Sequence, residues 1–220
     1  MSSPQPDALH ADALHSDALH SDALGVLRSW RAPNADQERL RTDFVRHLEE
    51  HPDGLRRSCP GAHVTAGAVI LSADHERVLL TLHAKARRWF HMGGHCEDAD
   101  GTLAGAALRE AEEESGVTDL ELDPDPVHLD RHAVPFCGDH GSVDHLDVRF
   151  VAVAPVGAEH AVSEESLDVR WWPVDDLPDT TDLAELVAAA RDRAATRPGA
   201  QSSTSEAGSS APSSTSSAAI

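Results

Sequence analysis

Between Gly93 and Val117 the chain reads Gly-Gly-His-Cys-Glu-Asp-Ala-Asp-Gly-Thr-Leu-Ala-Gly-Ala-Ala-Leu-Arg-Glu-Ala-Glu-Glu-Glu-Ser-Gly-Val, a glycine loop that feeds a helix. Thr102 suits the N-cap, Leu103 to Glu114 is an unbroken run of good helix formers, and Gly116 is the stop. At about 100° per residue, Glu110, Glu113 and Glu114 fall on one face, inside an arc of about 100°. Ala104, Ala107, Leu108, Ala111 and Ser115 make an adjacent face small enough to sit close against a sheet, and Glu112 points away. This stretch therefore asks for a sheet beneath one side of a helix and leaves the other side acidic. Like charges at i,i+4 cost about 0.2–0.5 kcal/mol per pair even when exposed. A hard divalent cation such as Mg²⁺, which takes carboxylate oxygens and leaves its other positions to water and phosphate, offsets that repulsion. The plain alternative is a solvated acidic face.

The longer pattern favours the cation. Arg109-Glu110-Ala111-Glu112-Glu113-Glu114-Ser115-Gly116-Val117, preceded by Gly93-Gly94, resembles the Nudix box, whose second half reads Arg-Glu-apolar-any-Glu-Glu-any-Gly-apolar. The first half departs from the family pattern. Asp100 stands where the family has Glu, and the segment from Gly94 to Arg109 is one residue longer than standard. The roles of Glu97, Asp98 and Asp100 are therefore open at this point.

The resemblance implies an α/β/α sandwich around a mixed β-sheet. It also implies hydrolysis of the diphosphate linkage in a nucleoside diphosphate linked to another moiety. It further implies Mg²⁺, or Mn²⁺, on Glu110, Glu113 and Glu114 with the Gly94 carbonyl, and Arg109 orienting a catalytic glutamate. Glu110 or Glu113 is the base on this reading, or Glu164 or Glu165 from a late loop where the family often carries an acid, with His145 behind them. Two other classes stay open: a catalytically silent nucleotide-sensing module, and a metal-binding protein using the 15 histidines. The isopentenyl diphosphate isomerase branch of the family is disfavoured, because the chain has no tyrosine and Cys59 and Cys96 do not form that branch's cysteine motif.

A formal charge of -20 disfavours nucleic acid and anionic membranes as partners, and makes a bridging cation more necessary for a phosphate substrate. Cys59, Cys96 and Cys137 are too few, too far apart and odd in number for a disulfide framework. A zinc site from Cys59, His63, Cys96 and Cys137 is an alternative without CxxC or HxxxH spacing to support it. No apolar run reaches the ~18 residues of a membrane span, and the N-terminus lacks a secretory pattern, so the cytoplasm is expected. Oligomeric state is left open, a homodimer included.

In chain order, residues 1–25 carry Asp-Ala-Leu-His repeats whose five-residue period scatters Leu9, Leu14, Leu19 and Leu24 around a helix, so a disordered arm or a frayed helix is expected. Loose metal binding by His10, His15 and His20 is the sharper alternative. Residues 26–59 hold an accessory helix over 34–51, with Asn34 as cap, Gln37 placed for a capping box, and an apolar stripe of Leu40, Phe44, Val45 and Leu48. Residues 60–196 make the catalytic domain. Val64–Leu71 and Val78–Leu82 form a hairpin, Val127–Phe136 and His145–Ala154 are strands, and a last helix covers 182–193. Arg87 and Arg88, beside Trp89 and Phe90, are candidate contacts for substrate phosphate. His145, Asp147 and Arg149 share a strand face, and His145 and Asp147 are further candidates for substrate contact. Residues 197–220 are a Ser/Thr/Ala-rich tail expected to be disordered.

Overall fold

The computed structural model describes residues 6–135, 137, 142–162, 166–178 and 181–197, with the side chains of 6–17 and 181–182 left aside. The described residues form four helices and eight strands. Helices α1 (Pro6–Ser29) and α2 (Ala35–Glu50) precede the hairpin of β1 (Ala62–Leu71) and β2 (Arg77–His83). Two short strands, β3 (Trp89–Phe90) and β4 (Met92–His95), lead to α3 (Leu103–Ser115). There follow β5 (Glu121–Leu122), β6 (His128–Val134), β7 (Val143–Val153), β8 (Ser166–Pro173) and α4 (Thr181–Thr196).

The sheet runs β3-β2-β1-β7-β5, with β4 also on β1, β6 on β7 and β8 on β2. Its centre is the parallel pair β1 and β7, in register from Ala62 opposite Asp144 to Leu71 opposite Val153, and the other pairings are antiparallel. A strand so placed is covered on both faces, which is why β1 is apolar almost throughout instead of alternating. Its even positions Val64, Ala66, Ala68 and Ile70 join Phe44, Leu48, Leu103, Ala107 and Ala111 in one core beneath α1, α2 and α3. Val69 and Leu71 point the other way, with Val78, Leu80 and Val151, into a second core under α4. The result is the expected α/β/α sandwich around a mixed sheet. Trp171 packs against the first core and its neighbour Trp172 against the second, as alternation along β8 requires.

The N-terminal arm differs from expectation. α1 takes in the repeats, and Leu19, Ala23 and Leu27 are buried against Phe44 and Leu48. These three stand at i, i+4 and i+8, a helical stripe that the five-residue period obscures. His20 Nε2 lies 2.9 Å from the Leu48 carbonyl oxygen. Residues 18–29 are thus a packed helix and not a frayed arm, whereas residues 1–5 and the tail beyond Arg197 lie outside the described residues. On α2 the Asn34 cap forms, its side chain accepting from Gln37 N–H at 2.9 Å. The Gln37 amide does not complete a capping box. It clamps Leu129 of β6, donating to its carbonyl at 2.9 Å and accepting from its N–H at 2.7 Å. Among the described residues no helix is long and apolar enough to cross a membrane.

Candidate active site

The helix that carries the glutamates is fixed at both ends. Thr102 is extended and its hydroxyl accepts from Gly105 N–H at 3.0 Å, while Gly116 closes the last turn in the left-handed region at φ 68°. A further N-terminal donor, Leu103 N–H, is taken by Asp22 Oδ2 of α1 at 2.7 Å. The last repeat of the arm therefore supplies a carboxylate at the positive end of α3. Ala106, Ala107 and Ala111 are buried, so the helix lies close on β1 and β4.

That proximity brings α3 against the glycines of β4. Gly94 pairs with Ala66, on the sheet face that α3 covers. A Cβ at Gly94 would lie 2.6 Å from Glu110 Oε2, so the carboxylate occupies the space a side chain would fill. Gly93 N–H donates to Glu114 Oε2 at 2.9 Å. Two of the three predicted metal carboxylates are thus held by the glycine strand, and the third, Glu113, is exposed on the same side of the helix.

Arg109 organises the entry loop. Its Nε and Nη2 donate to the two Asp100 oxygens at 3.0 Å each, Nη2 also reaches the His95 carbonyl at 2.9 Å, and Nη1 reaches Glu110 at 3.0 Å and Glu113 at 3.1 Å. Asp100 is buried, and its Oδ2 further accepts Glu97 N–H at 2.7 Å. Asp100 is therefore the acid that the longer loop delivers to Arg109, while Glu97 stands 3.9 Å away on the exposed rim and Asp98 pairs with Arg56 at 3.1 Å. Gly101 lies between Asp100 and the helix cap, with nothing within 4 Å of where a Cβ would stand. The bidentate bonds from Asp100 raise the Arg109 pKa against the cost of burial. Burial lifts the Glu110 carboxyl above its ordinary value, with Glu113 and Glu97 adding to the lift and Arg109 opposing it.

The other predicted residues lie elsewhere. Glu164 and Glu165 fall outside the described residues, as do Asp139 and His140. Arg87 and Arg88 are exposed in the turn between β2 and β3, Arg87 at φ 57°, and among the described residues neither guanidinium forms an ion pair. His145 and Asp147 stand opposite His63 and Thr65 on β1, on the face turned away from α3. Asp147 is buried there, accepting from Arg149 Nε at 2.7 Å and Thr65 Oγ1 at 3.1 Å, with His91 Nε2 at 3.3 Å. Burial pushes its carboxyl up, but Arg149 and His91 outweigh it and hold the group well below the usual carboxylate range. Arg149 also binds Asp130 of β6 at 2.9 Å, so Asp147, Arg149 and Asp130 form an ion-pair network on this strand face.

Sequence reasoning missed two features of the region. One is the Asp22 contact to α3, which needs a helix 81 residues upstream. The other is a cluster of His63, His95, Cys137 and His145, of which the sequence reading had placed His63 and Cys137 together but with Cys59 and Cys96. Cys96 instead packs against the core beneath the helices, where burial raises its thiol to about 12, and Cys59 is buried with its thiol raised to about 11. Strand alternation was the available signal, since it sends His95 and Cys96 to opposite faces.

Among solved structures, a C. elegans Ap4A hydrolase binary complex matches at 18% identity over 60% of this chain and 97% of its own, with a TM-score of 0.45. The NUDIX domain of Shewanella oneidensis NrtR complexed with ADP ribose matches at 21% identity, over 63% and 92%, at 0.49. An E. coli dihydroneopterin triphosphate pyrophosphohydrolase matches at 20%, over 56% and 91%, at 0.48. No curated protein gives a significant match. The NUDIX domain family model matches residues 61–192, from the start of β1 into α4 and more than half of the chain. The glycine strand, the loop of Asp100 and the glutamate helix all lie within that span, and the chain belongs to the NUDIX family.

Proposed function

We propose that the chain is a metal-dependent hydrolase of the diphosphate linkage in a nucleoside diphosphate joined to another moiety. The observation that carries this reading is the seating of Glu110 in the space left by Gly94, beside Glu114 on Gly93 N–H and Glu113 on the same helix side. The donor set suits a hard cation: all its side-chain ligands are carboxylates, and Arg109 beside them already pairs with Asp100, Glu110 and Glu113. Glu110, Glu113 and Glu114, with the Gly94 carbonyl by resemblance, would hold Mg²⁺ or Mn²⁺. When bound, the cation neutralises the diphosphate and lowers the pKa of a water to the neutral range.

The chain's own residues account for the rest. Glu110, mostly buried and held above its ordinary carboxyl pKa by that burial, is the first candidate to accept the proton of the attacking water. Glu113 is the second candidate on the helix, and Glu164 and Glu165 are the candidates from the late loop. Arg109 keeps Glu110 against β4 and locks the loop through Asp100. Arg87 and Arg88, exposed at the β2–β3 turn, are the cations assigned to substrate phosphate. Asp147 is assigned to holding the strands together and not to substrate, since Arg149, Thr65 and His91 engage it. The free thiols Cys59, Cys96 and Cys137 suit the reducing cytoplasm.

The test is a panel of nucleotide sugars, dinucleoside polyphosphates, oxidised nucleotides and ADP-ribose, assayed with Mg²⁺ and Mn²⁺. Metal-dependent turnover of one class is expected. The double substitution Glu113→Gln and Glu114→Gln should lower it by about 10³-fold or more with the fold intact. Unchanged turnover in that variant, or no hydrolysis across the panel, would overturn the assignment.

A further inference from the structure

We propose that His63, His95, His145 and Cys137 form a tetrahedral zinc site on the sheet face opposite the glutamate helix. The inference rests on the geometry of these four side chains and is independent of the hydrolase reading.

Three ligands come from a rigid platform. His63 on β1 stands directly opposite His145 on β7, and His95 on β4 stands opposite Thr65, one step further along the same face of β1. Their rings lie 4.9–5.0 Å apart, centroid to centroid, with no aliphatic side chain needed between them. Cys137, beyond the end of β6, brings a buried sulfur to the same point.

The donor atoms converge at the spacing of ligands around one ion. His95 Nε2 is 3.1 Å from His63 Nε2 and 3.3 Å from Cys137 Sγ, which is in turn 3.6 Å from His63 Nε2 and 3.2 Å from His145 Nε2. All four atoms lie within 4.8 Å of one another. Zinc bonds of about 2.0–2.1 Å to nitrogen and 2.3 Å to sulfur, set at tetrahedral angles, place nitrogens about 3.3 Å apart and nitrogen and sulfur about 3.6 Å apart. The four separations given above lie within about 0.4 Å of those values.

The donor chemistry selects the metal. Three imidazoles and one thiol suit zinc and not magnesium, which prefers carboxylate and water oxygen. Four protein ligands leave no open position, so the site is structural. On binding, the Cys137 thiol gives up its proton to water and its sulfur forms the bond to zinc. The bond would tie Cys137 to β1, β4 and β7 through one ion.

The test uses the full chain, purified and incubated with zinc in the presence of excess Mg²⁺, then desalted and measured for metal. One zinc per chain is expected, and cobalt in its place should give tetrahedral visible bands with a sulfur-to-cobalt charge-transfer band. Cys137→Ala should abolish that charge-transfer band and weaken zinc binding by at least about 100-fold, whereas Cys59→Ala and Cys96→Ala should keep both. His145→Gln gives a second variant, with circular dichroism as the check on folding. Failure of the wild-type chain to retain zinc would overturn the proposal. So would a charge-transfer band that disappears with Cys59, which lies with His51 and Asp53 in a separate group. Zinc retained in full by Cys137→Ala would place the metal on other histidines and equally refute the site.

Discussion

The two adjacent glycines of β4 should respond to the same substitution in opposite ways. At Gly94 an added Cβ lies 2.6 Å from Glu110 Oε2, 2.8 Å from its carboxyl carbon and 2.9 Å from Oε1, all at the far end of a flexible side chain. The carboxylate must recede by about 0.8 Å to reach ordinary contact at 3.4 Å, which a glutamate does by rotamer change at little cost to the fold. Displacement of a catalytic group by about 1 Å costs on the order of 10²-fold in turnover, or about 2.7 kcal/mol of barrier. At Gly93 the Cβ instead meets backbone, Gly67 Cα at 2.7 Å and Ala66 O at 3.0 Å, and a paired strand cannot recede. Overpacking of that kind costs about 1–3 kcal/mol, which for a chain of this size lowers Tm by about 2–12 °C. Turnover of the substrate identified by the panel and thermal unfolding, measured on both variants, separate the effects. Gly94→Ala should lose activity with Tm nearly unchanged, and Gly93→Ala should lose stability. Full activity in Gly94→Ala would show that the Glu110 carboxylate has no work at that position, and a Tm loss confined to Gly94→Ala would refute the packing argument.

Two further outcomes test the architecture. Asp22→Ala removes the carboxylate that accepts from Leu103 N–H and should lower stability to urea by about 0.5–2 kcal/mol, the range for a lost helix cap; no change in the unfolding midpoint would show that Thr102 alone suffices. Asp123 is buried and accepts from Arg193 at 2.8 and 2.9 Å; burial pushes its carboxyl up, but the arginine bonds outweigh that and hold it below its ordinary value. A depressed folded pKa means stability present above the unfolded value of about 3.9 and lost as pH falls through the folded one, so Asp123→Asn should flatten the acid limb of the stability curve below about pH 5. An unaltered acid slope in that variant would remove Asp123 from the account.

What the sequence made legible was local. The α3 helix, its Thr102 and Gly116 ends and the shared face of its glutamates follow from spacing within a few turns, and the Asn34 cap and the β1–β2 hairpin follow in the same way. The entry loop was not legible, because one added residue shifts every count from Gly94 to Arg109. Only the fold shows that Asp100, and not Glu97, takes the bidentate place. The arm was misread for a related reason: its visible period is five, and burial follows Leu19, Ala23 and Leu27 at a spacing of four. The histidine cluster has no motif at all. Its members are separated by 32, 42 and 8 positions and meet only because β1 lies between β4 and β7.

Strand β4 is the element on which both proposed metal chemistries turn. Gly93 and Gly94 meet the carboxylates of α3 on one side, and the His95 ring meets the imidazoles and thiol on the other. The two donor sets differ in hardness, so the proposed sites do not compete for one ion: carboxylate oxygen holds magnesium, and imidazole with thiolate holds zinc. They are nevertheless joined mechanically, because the His95 carbonyl accepts from Arg109 Nη2 at 2.9 Å, and the same guanidinium pairs with Glu110. A zinc ion fixing the His95 ring would therefore also fix the carbonyl against which Arg109 is braced. Its removal would reach Glu110 through the His95 carbonyl and the Arg109 guanidinium.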